Sequence, residues 1–126
     1  MNDFASGAPE SVRSRLVLPL DVGDLSAAVA VAKRLAPWFG IAKVGHELFA
    51  EAGPEAIERM HQLGMAVFCD LKLHDIPNTA KGAALAVEQL NPDFLTVHAS
   101  GGFEMIAAAV GALPNCQITA VTVLTS

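Results

Sequence analysis

The chain is expected to be an α/β protein in which parallel strands alternate with helices, and three observations predict it. Apolar runs of strand character recur at residues 15–22, 41–45, 66–73, 94–100 and 117–126. Between them lie stretches with helical periodicity or helix punctuation. Each run also carries a polar residue near its end: Asp21, Lys43, Asp70, His98 and Thr125, separated by 22, 27, 28 and 27 residues. That is a nearly constant period of one strand and one helix. Such alternation is built from right-handed βαβ crossovers. Polar groups at matching ends of successive parallel strands suit a (β/α) barrel, whose working face is the C-terminal mouth.

Residues 1–14 mix Gly, Ala, Pro and Ser with scattered charge and read as a loose, disordered tail. In the first strand Pro19 is awkward, because proline cannot donate to a ladder and is confined to edges or bulges. Asp24 is placed to cap a helix in which Leu25, Ala28, Val29, Ala32 and Leu35 recur on one face, and Pro37 stops it. Residues 41–45 form a short second strand with Lys43 in its middle. After a turn at Gly53, Pro54 opens a helix through Leu63 and Gly64 closes it. A third helix is expected over about 79–90, with Ala80, Ala83, Ala84, Val87 and Leu90 inward, and a fourth over about 103–113.

Composition excludes several functions. The chain has 126 residues, enough for one domain with a real core, and 52% of them are hydrophobic. Its net charge is −5 and its eight Lys and Arg residues form no cluster, so there is no electrostatic footprint for nucleic acid. The two cysteines, Cys69 and Cys116, show no metal-ligand spacing and make no disulfide framework. The N-terminal residues lack the apolar core of a signal peptide, and no apolar run is long enough to span a bilayer. No membrane partner is expected, and the cytoplasm is the expected compartment.

The third strand and the turn after it organise the rest. Residues 66–79 read Ala-Val-Phe-Cys-Asp-Leu-Lys-Leu-His-Asp-Ile-Pro-Asn-Thr. Side chains two apart on a strand share a face, so Asp70 and Lys72 project together while Cys69, Leu71 and Leu73 point the other way. Charges are rarely set in apolar surroundings unless they are paired or working. Asp75 comes just past the strand end, and Pro77 with Thr79 opens the next helix. The bland alternatives are a structural ion pair between Asp70 and Lys72, and simple helix capping by Asp75 or Thr79. His98 points inward by parity with Thr96, and a lone histidine there is usually a hydrogen-bonded core residue; His61 and His74 read as surface groups.

The run Asp70-Leu71-Lys72-Leu73-His74-Asp75-Ile76-Pro77-Asn78-Thr79 resembles the signature of the orotidine 5'-phosphate decarboxylases. The Asp-x-Lys-x-x-Asp core is shared with related sugar-phosphate enzymes; joined to Ile-Pro-Asn-Thr it is specific. Leu20-Asp21, Lys43-Val44-Gly45, Val97-His98-Ala99-Ser100-Gly101-Gly102 and Val123-Leu124-Thr125-Ser126 extend the likeness over the whole chain after the tail. Pro19 is a less usual residue before the Leu-Asp pair.

The resemblance implies a (β/α)8 TIM-barrel decarboxylase that converts orotidine 5'-phosphate to uridine 5'-phosphate without metal or cofactor. It implies catalytic roles for Lys43, Asp70, Lys72 and Asp75, and a homodimer in which Asp75 and Thr79 reach the partner's site. Substrate contacts are implied for Asp21, for Lys43, for the run from Asp70 to Thr79, and for Thr125 and Ser126. Read from their positions alone, Asp21 is a capping acid and Thr125 and Ser126 are ordinary strand-end hydroxyls. Two alternatives stay open: a magnesium-dependent sugar-phosphate relative, and a non-catalytic half barrel that self-associates.

A barrel of eight units typically takes about 250 residues. This sequence supplies about four βα units and a fifth strand. It is therefore expected to be a fragment, a truncated gene or an engineered half, weak or inactive alone. The resemblance places the phosphate-gripping arginine and mobile loop of the family beyond Ser126.

Overall fold

A computed structural model describes residues 6–126. The chain divides into two compact units, Met1–Phe68 and Cys69–Ser126. In chain order the elements are α1 (Glu10–Arg13), β1 (Val17–Pro19), α2 (Leu25–Leu35), β2 (Ile41–Val44), α3 (His46–Ala52), α4 (Pro54–Gln62), β3 (Ala66–Leu73), α5 (Pro77–Glu88), β4 (Phe94–His98), α6 (Phe103–Ala112) and β5 (Gln117–Val121). A 3₁₀ turn at Ala99–Gly101 links β4 to α6. Hydrogen-bonded strand order matches chain order, β1-β2-β3-β4-β5, as in βαβ units that all wind the same way. The break between the two units falls inside β3, so that strand begins in the first and ends in the second.

In the first unit β1 and β2 are parallel, with Val17 opposite Ile41 and Pro19 opposite Lys43. Leu20 continues the pairing by donating its N–H to the Lys43 carbonyl at 3.0 Å. β1 lies at the end of the strand order, which is where a proline is tolerated. The helix expected after Asp24 forms as α2: the Asp24 carboxylate accepts the Ala27 N–H at 2.7 Å. Ala28, Val29 and Ala32 of its apolar face are buried. Leu18, Leu20, Val44, Leu48, Ile57 and Met60 supply the bulk of the core around it.

Several boundaries differ from the sequence reading. Within the stretch expected to be a loose tail, Glu10–Arg13 forms one helical turn. Two backbone bonds hold it: Ala8 N–H donates to the Pro37 carbonyl at 2.9 Å, and Gly40 N–H to the Arg13 carbonyl at 2.8 Å. Residues 1–5 of that stretch lie outside the described residues. The sequence predicts no helix where α3 forms. That helix is seven residues long, follows Gly45, which offers no side-chain cap, and buries only Leu48, so it carries almost no periodic signal.

In the second unit β4 and β5 are parallel in the register Phe94↔Gln117 to His98↔Val121. The strand pattern of β5 continues to Ser126, but the strand stops at Val121, because β4 turns into the 3₁₀ segment after His98 and offers no further partner. The same limit ends β4 at His98 instead of Ser100. α5 begins at Pro77, two residues earlier than expected, with proline in the first helical position. It packs against α6, and Ala84, Val87, Leu95, Val97, Met105 and Leu113 are buried.

The approach of α1 to β2 depends on Gly40. A Cβ at that position would lie 2.6 Å from the Arg13 carbonyl oxygen and 2.8 Å from its carbon, backbone atoms that cannot swing aside. Gly40→Ala should therefore cost about 1–3 kcal/mol of stability. Gly111→Ala, where a methyl meets nothing within 4 Å, should be neutral or stabilising by up to about 1 kcal/mol. Equilibrium denaturation of the two variants beside the parent checks the contrast.

Candidate active site at the end of β3

β3 delivers an acid into apolar surroundings. Val67 and Cys69 are fully buried, and Asp70 is only 8% exposed. A buried carboxylate is tolerated only if its oxygens are matched by donors. Both are. Oδ2 receives the Lys72 ammonium at 2.9 Å, and Oδ1 receives the Thr96 hydroxyl at 2.8 Å. Thr96 Oγ1 in turn accepts the backbone N–H of Lys72 at 2.9 Å. Asp70, Lys72 and Thr96 thus close a ring of hydrogen bonds in which β4 supplies the third member.

Asp70 and Lys72 share a side, as the two-residue spacing predicts, but the backbone between them is not a plain strand. Lys72 has φ of 47°, in the left-handed region that side-chain-bearing residues seldom adopt. Leu71 and Leu73 are half-buried, and the chain from His74 to Thr79 is exposed. Lys72 itself keeps a partly exposed side chain, so its ammonium lies at the boundary between the buried carboxylate and solvent.

Asp75 does not join this ring among the described residues. Its Oδ1 accepts the Ile76 N–H at 2.7 Å, and its own N–H faces the Met105 thioether at 3.5 Å. The N-cap of α5 is Ile76, with no side-chain cap, and Thr79 stands inside the first turn with an exposed side chain. Capping therefore does not account for Thr79. Gly101 sits against Met105, where an added methyl would run into the thioether.

A second pair belongs to the first unit. Lys43 Nζ lies 3.4 Å from Asp21 Oδ1, a longer and more exposed contact than that of Lys72. Gly45 leaves room for it: a Cβ there would come within 3.3 Å of the Asp21 carboxylate and 3.6 Å of the Lys43 amine. Asp21 thus pairs with a lysine; the cap of α2 is Asp24.

The remaining expected residues are spread more widely. His98 is half-buried with its ring 5.0 Å from that of His74, which is exposed. Thr125 and Ser126 are exposed and lie beyond the end of β5. Among the described residues there is no group of three His, Cys, Asp or Glu side chains that could hold a metal ion. Sequence reasoning missed Thr96 as a member of the site. The available signal was a hydroxyl between Leu95 and Val97 in an otherwise apolar strand.

Five strands alternating with helices, with acid and base at the end of the central strand, define the class: the first half of a (β/α) barrel with a charged site. The chain belongs to the orotidine 5'-phosphate decarboxylase / HUMPS family, whose model matches residues 14–126. It is 51% identical over 113 residues to the orotidine 5'-phosphate decarboxylase of Anaeromyxobacter sp. strain K, covering 89% of this chain and 50% of that one. The Moorella thermoacetica protein of the same name is 46% identical over 123 residues, covering 90% and 49%. The crystal structure of the Lactobacillus acidophilus orotidine 5'-phosphate decarboxylase aligns with a TM-score of 0.77 at 36% identity, covering 87% of this chain and 53% of that one. That of the Methanocaldococcus jannaschii decarboxylase complexed with inhibitor BMP aligns with a TM-score of 0.78 at 27% identity, covering 82% and 49%. The chain spans about half the length of the curated relatives it matches.

Burial governs the chemistry of the two thiols. Burial pushes the Cys69 thiol up to about 12, with Cys116 and the Asp70 carboxylate adding to the effect. Burial, then Asp93, pushes Cys116 up to about 11. From about pH 9 the unfolded chain loses these protons while the folded chain keeps them, so folding stability is present below pH 9 and declines as pH rises toward 12. Cys69→Ala should flatten that decline. Denaturation midpoints of parent and variant, measured at intervals from about pH 8 to about pH 11, check it.

Proposed function

We propose that this chain carries the N-terminal part of an enzyme that decarboxylates orotidine 5'-phosphate to uridine 5'-phosphate, in the cytoplasm. The observation that carries the proposal is the Asp70–Lys72 pair, held at 2.9 Å at the end of β3 on the Asp-x-Lys-x-x-Asp-Ile-Pro-Asn-Thr run. The names of the relatives at 46–51% identity support it.

In this reading the bond from the pyrimidine ring to the carboxylate carbon breaks, carbon dioxide leaves, and the electron pair stays on the ring carbon. That vinyl-type carbanion has little resonance help. Fixed positive charge in a pocket poor in water is what stabilises it. The Lys72 ammonium serves twice: it steadies the carbanion, then gives it a proton and is left as the neutral amine. Asp70 lies near the departing carboxylate, where like charges raise the ground state and are relieved on cleavage; transition-state stabilisation by Lys72 is the larger effect.

Lys43 and Asp75 complete the charge array and bind ribose hydroxyls, and Asp21 accepts from ribose. Leu71, Leu73, His74, Ile76, Pro77 and Asn78 line the substrate, with Thr125 and Ser126 at the nucleotide and pyrimidine. The partner in this reading is a second copy, with Asp75 and Thr79 of each subunit serving the other's site. The exposure of Ile76 (66%) and of Thr79 supports that assignment.

The test monitors the near-ultraviolet absorbance of orotidylate, with the chain alone and with the chain joined to the C-terminal half of the Anaeromyxobacter relative. Turnover is expected in the joined form, weak or absent in the chain alone, and undiminished by a magnesium chelator. Lys72→Ala should lower it by at least about a thousandfold, several kcal/mol of barrier. Abolition by the chelator would reassign the site to a magnesium-dependent sugar-phosphate enzyme. Inactivity of both forms would leave a non-catalytic, self-associating module.

A further inference from the structure

We propose that Thr96 is a positioning residue of this site: its hydroxyl locks the Asp70 carboxylate to the left-handed backbone of Lys72. The role deepens the decarboxylase reading and rests on it for its catalytic consequence.

The direction of each bond is dictated by chemistry. A carboxylate can only accept, so the single hydroxyl proton of Thr96 goes to Asp70 Oδ1, 2.8 Å away. A lone pair of the same oxygen is then free to accept the Lys72 N–H at 2.9 Å. One atom therefore ties the carboxylate to the backbone of the residue that carries the ammonium. The backbone needs fixing, because Lys72 stands at φ 47°, a region its side chain disfavours. The position is otherwise apolar: Thr96 is 3% exposed, and its neighbours Leu95 and Val97 are fully buried. Valine would fill the same volume there with better strand propensity. A hydroxyl in its place is explained by the two groups it connects.

A residue that only fills the core would matter for stability alone. A positioning residue must also change the local state of Asp70 and Lys72 in folded protein. The test uses the full chain with threonine, valine, serine or alanine at position 96. In Thr96→Val the Lys72 amide should exchange with solvent at least about tenfold faster than in the parent, relative to the other β3 amides. The Asp70 carboxyl carbon should titrate at higher pH in the valine variant, since a bond to its charged form is gone. Thr96→Ser should restore both. If valine at this position prevents folding, the serine and alanine variants carry the same comparison.

With orotidylate as the probe, on whichever form turns over, Thr96→Val should reduce kcat about ten- to a hundredfold with KM within about threefold. Unchanged Lys72 exchange and Asp70 titration in folded Thr96→Val would overturn the proposal, as would an unchanged kcat. Loss of the two local signatures in a protein that never acts on orotidylate would keep Thr96 as the lock and sink the substrate assignment instead.

Discussion

The structure at the end of β3 depends on one constraint, the need to satisfy a carboxylate taken out of water. Asp70 sits beside fully buried Cys69 and Val67, where an unmatched charge would cost several kcal/mol. Its two oxygens are met by groups of different kinds, an ammonium two residues along the same strand and a hydroxyl from the next strand. The cost of burying Asp70 is thus also what fixes the geometry of Lys72.

The surrounding scaffold serves that geometry in ordinary ways. Parallel strands place β4 beside the C-terminal half of β3, so a threonine in the middle of β4 meets the final residues of β3. The turn after β3 ends at Pro77, which starts α5 without needing a side-chain cap. Asp75 is left on the exposed turn with its carboxylate folded back on the Ile76 N–H. In the first unit, Gly45 after β2 leaves space for Lys43 and Asp21 to approach. Small residues at strand ends keep backbone and charge close together.

Much of this is legible from local pattern. The alternation of strands and helices, the Asp24 cap, the full extent of β3 and the shared side of Asp70 and Lys72 all come from spacing and residue type. The elements that escape have weak local signals. α3 has helix formers but a single buried residue, and α1 is one turn held by two long-range backbone bonds. β5 continues in sequence as a β-branched run, yet a strand lasts only as long as its neighbour, and β4 ends at His98.

The sequence by itself determined the order of the five strands and of the four longer helices, and the identity of the charged residues, because period and capping are properties of residues close together along the chain. Only the tertiary structure decided that Asp70 is bound at both oxygens, that Thr96 is one of its donors, and that Lys72 carries a left-handed backbone. The two Thr96 bonds join groups 24 and 26 residues apart. No local preference encodes them: threonine in a strand and lysine at its end are each commonplace until a parallel register sets one against the other.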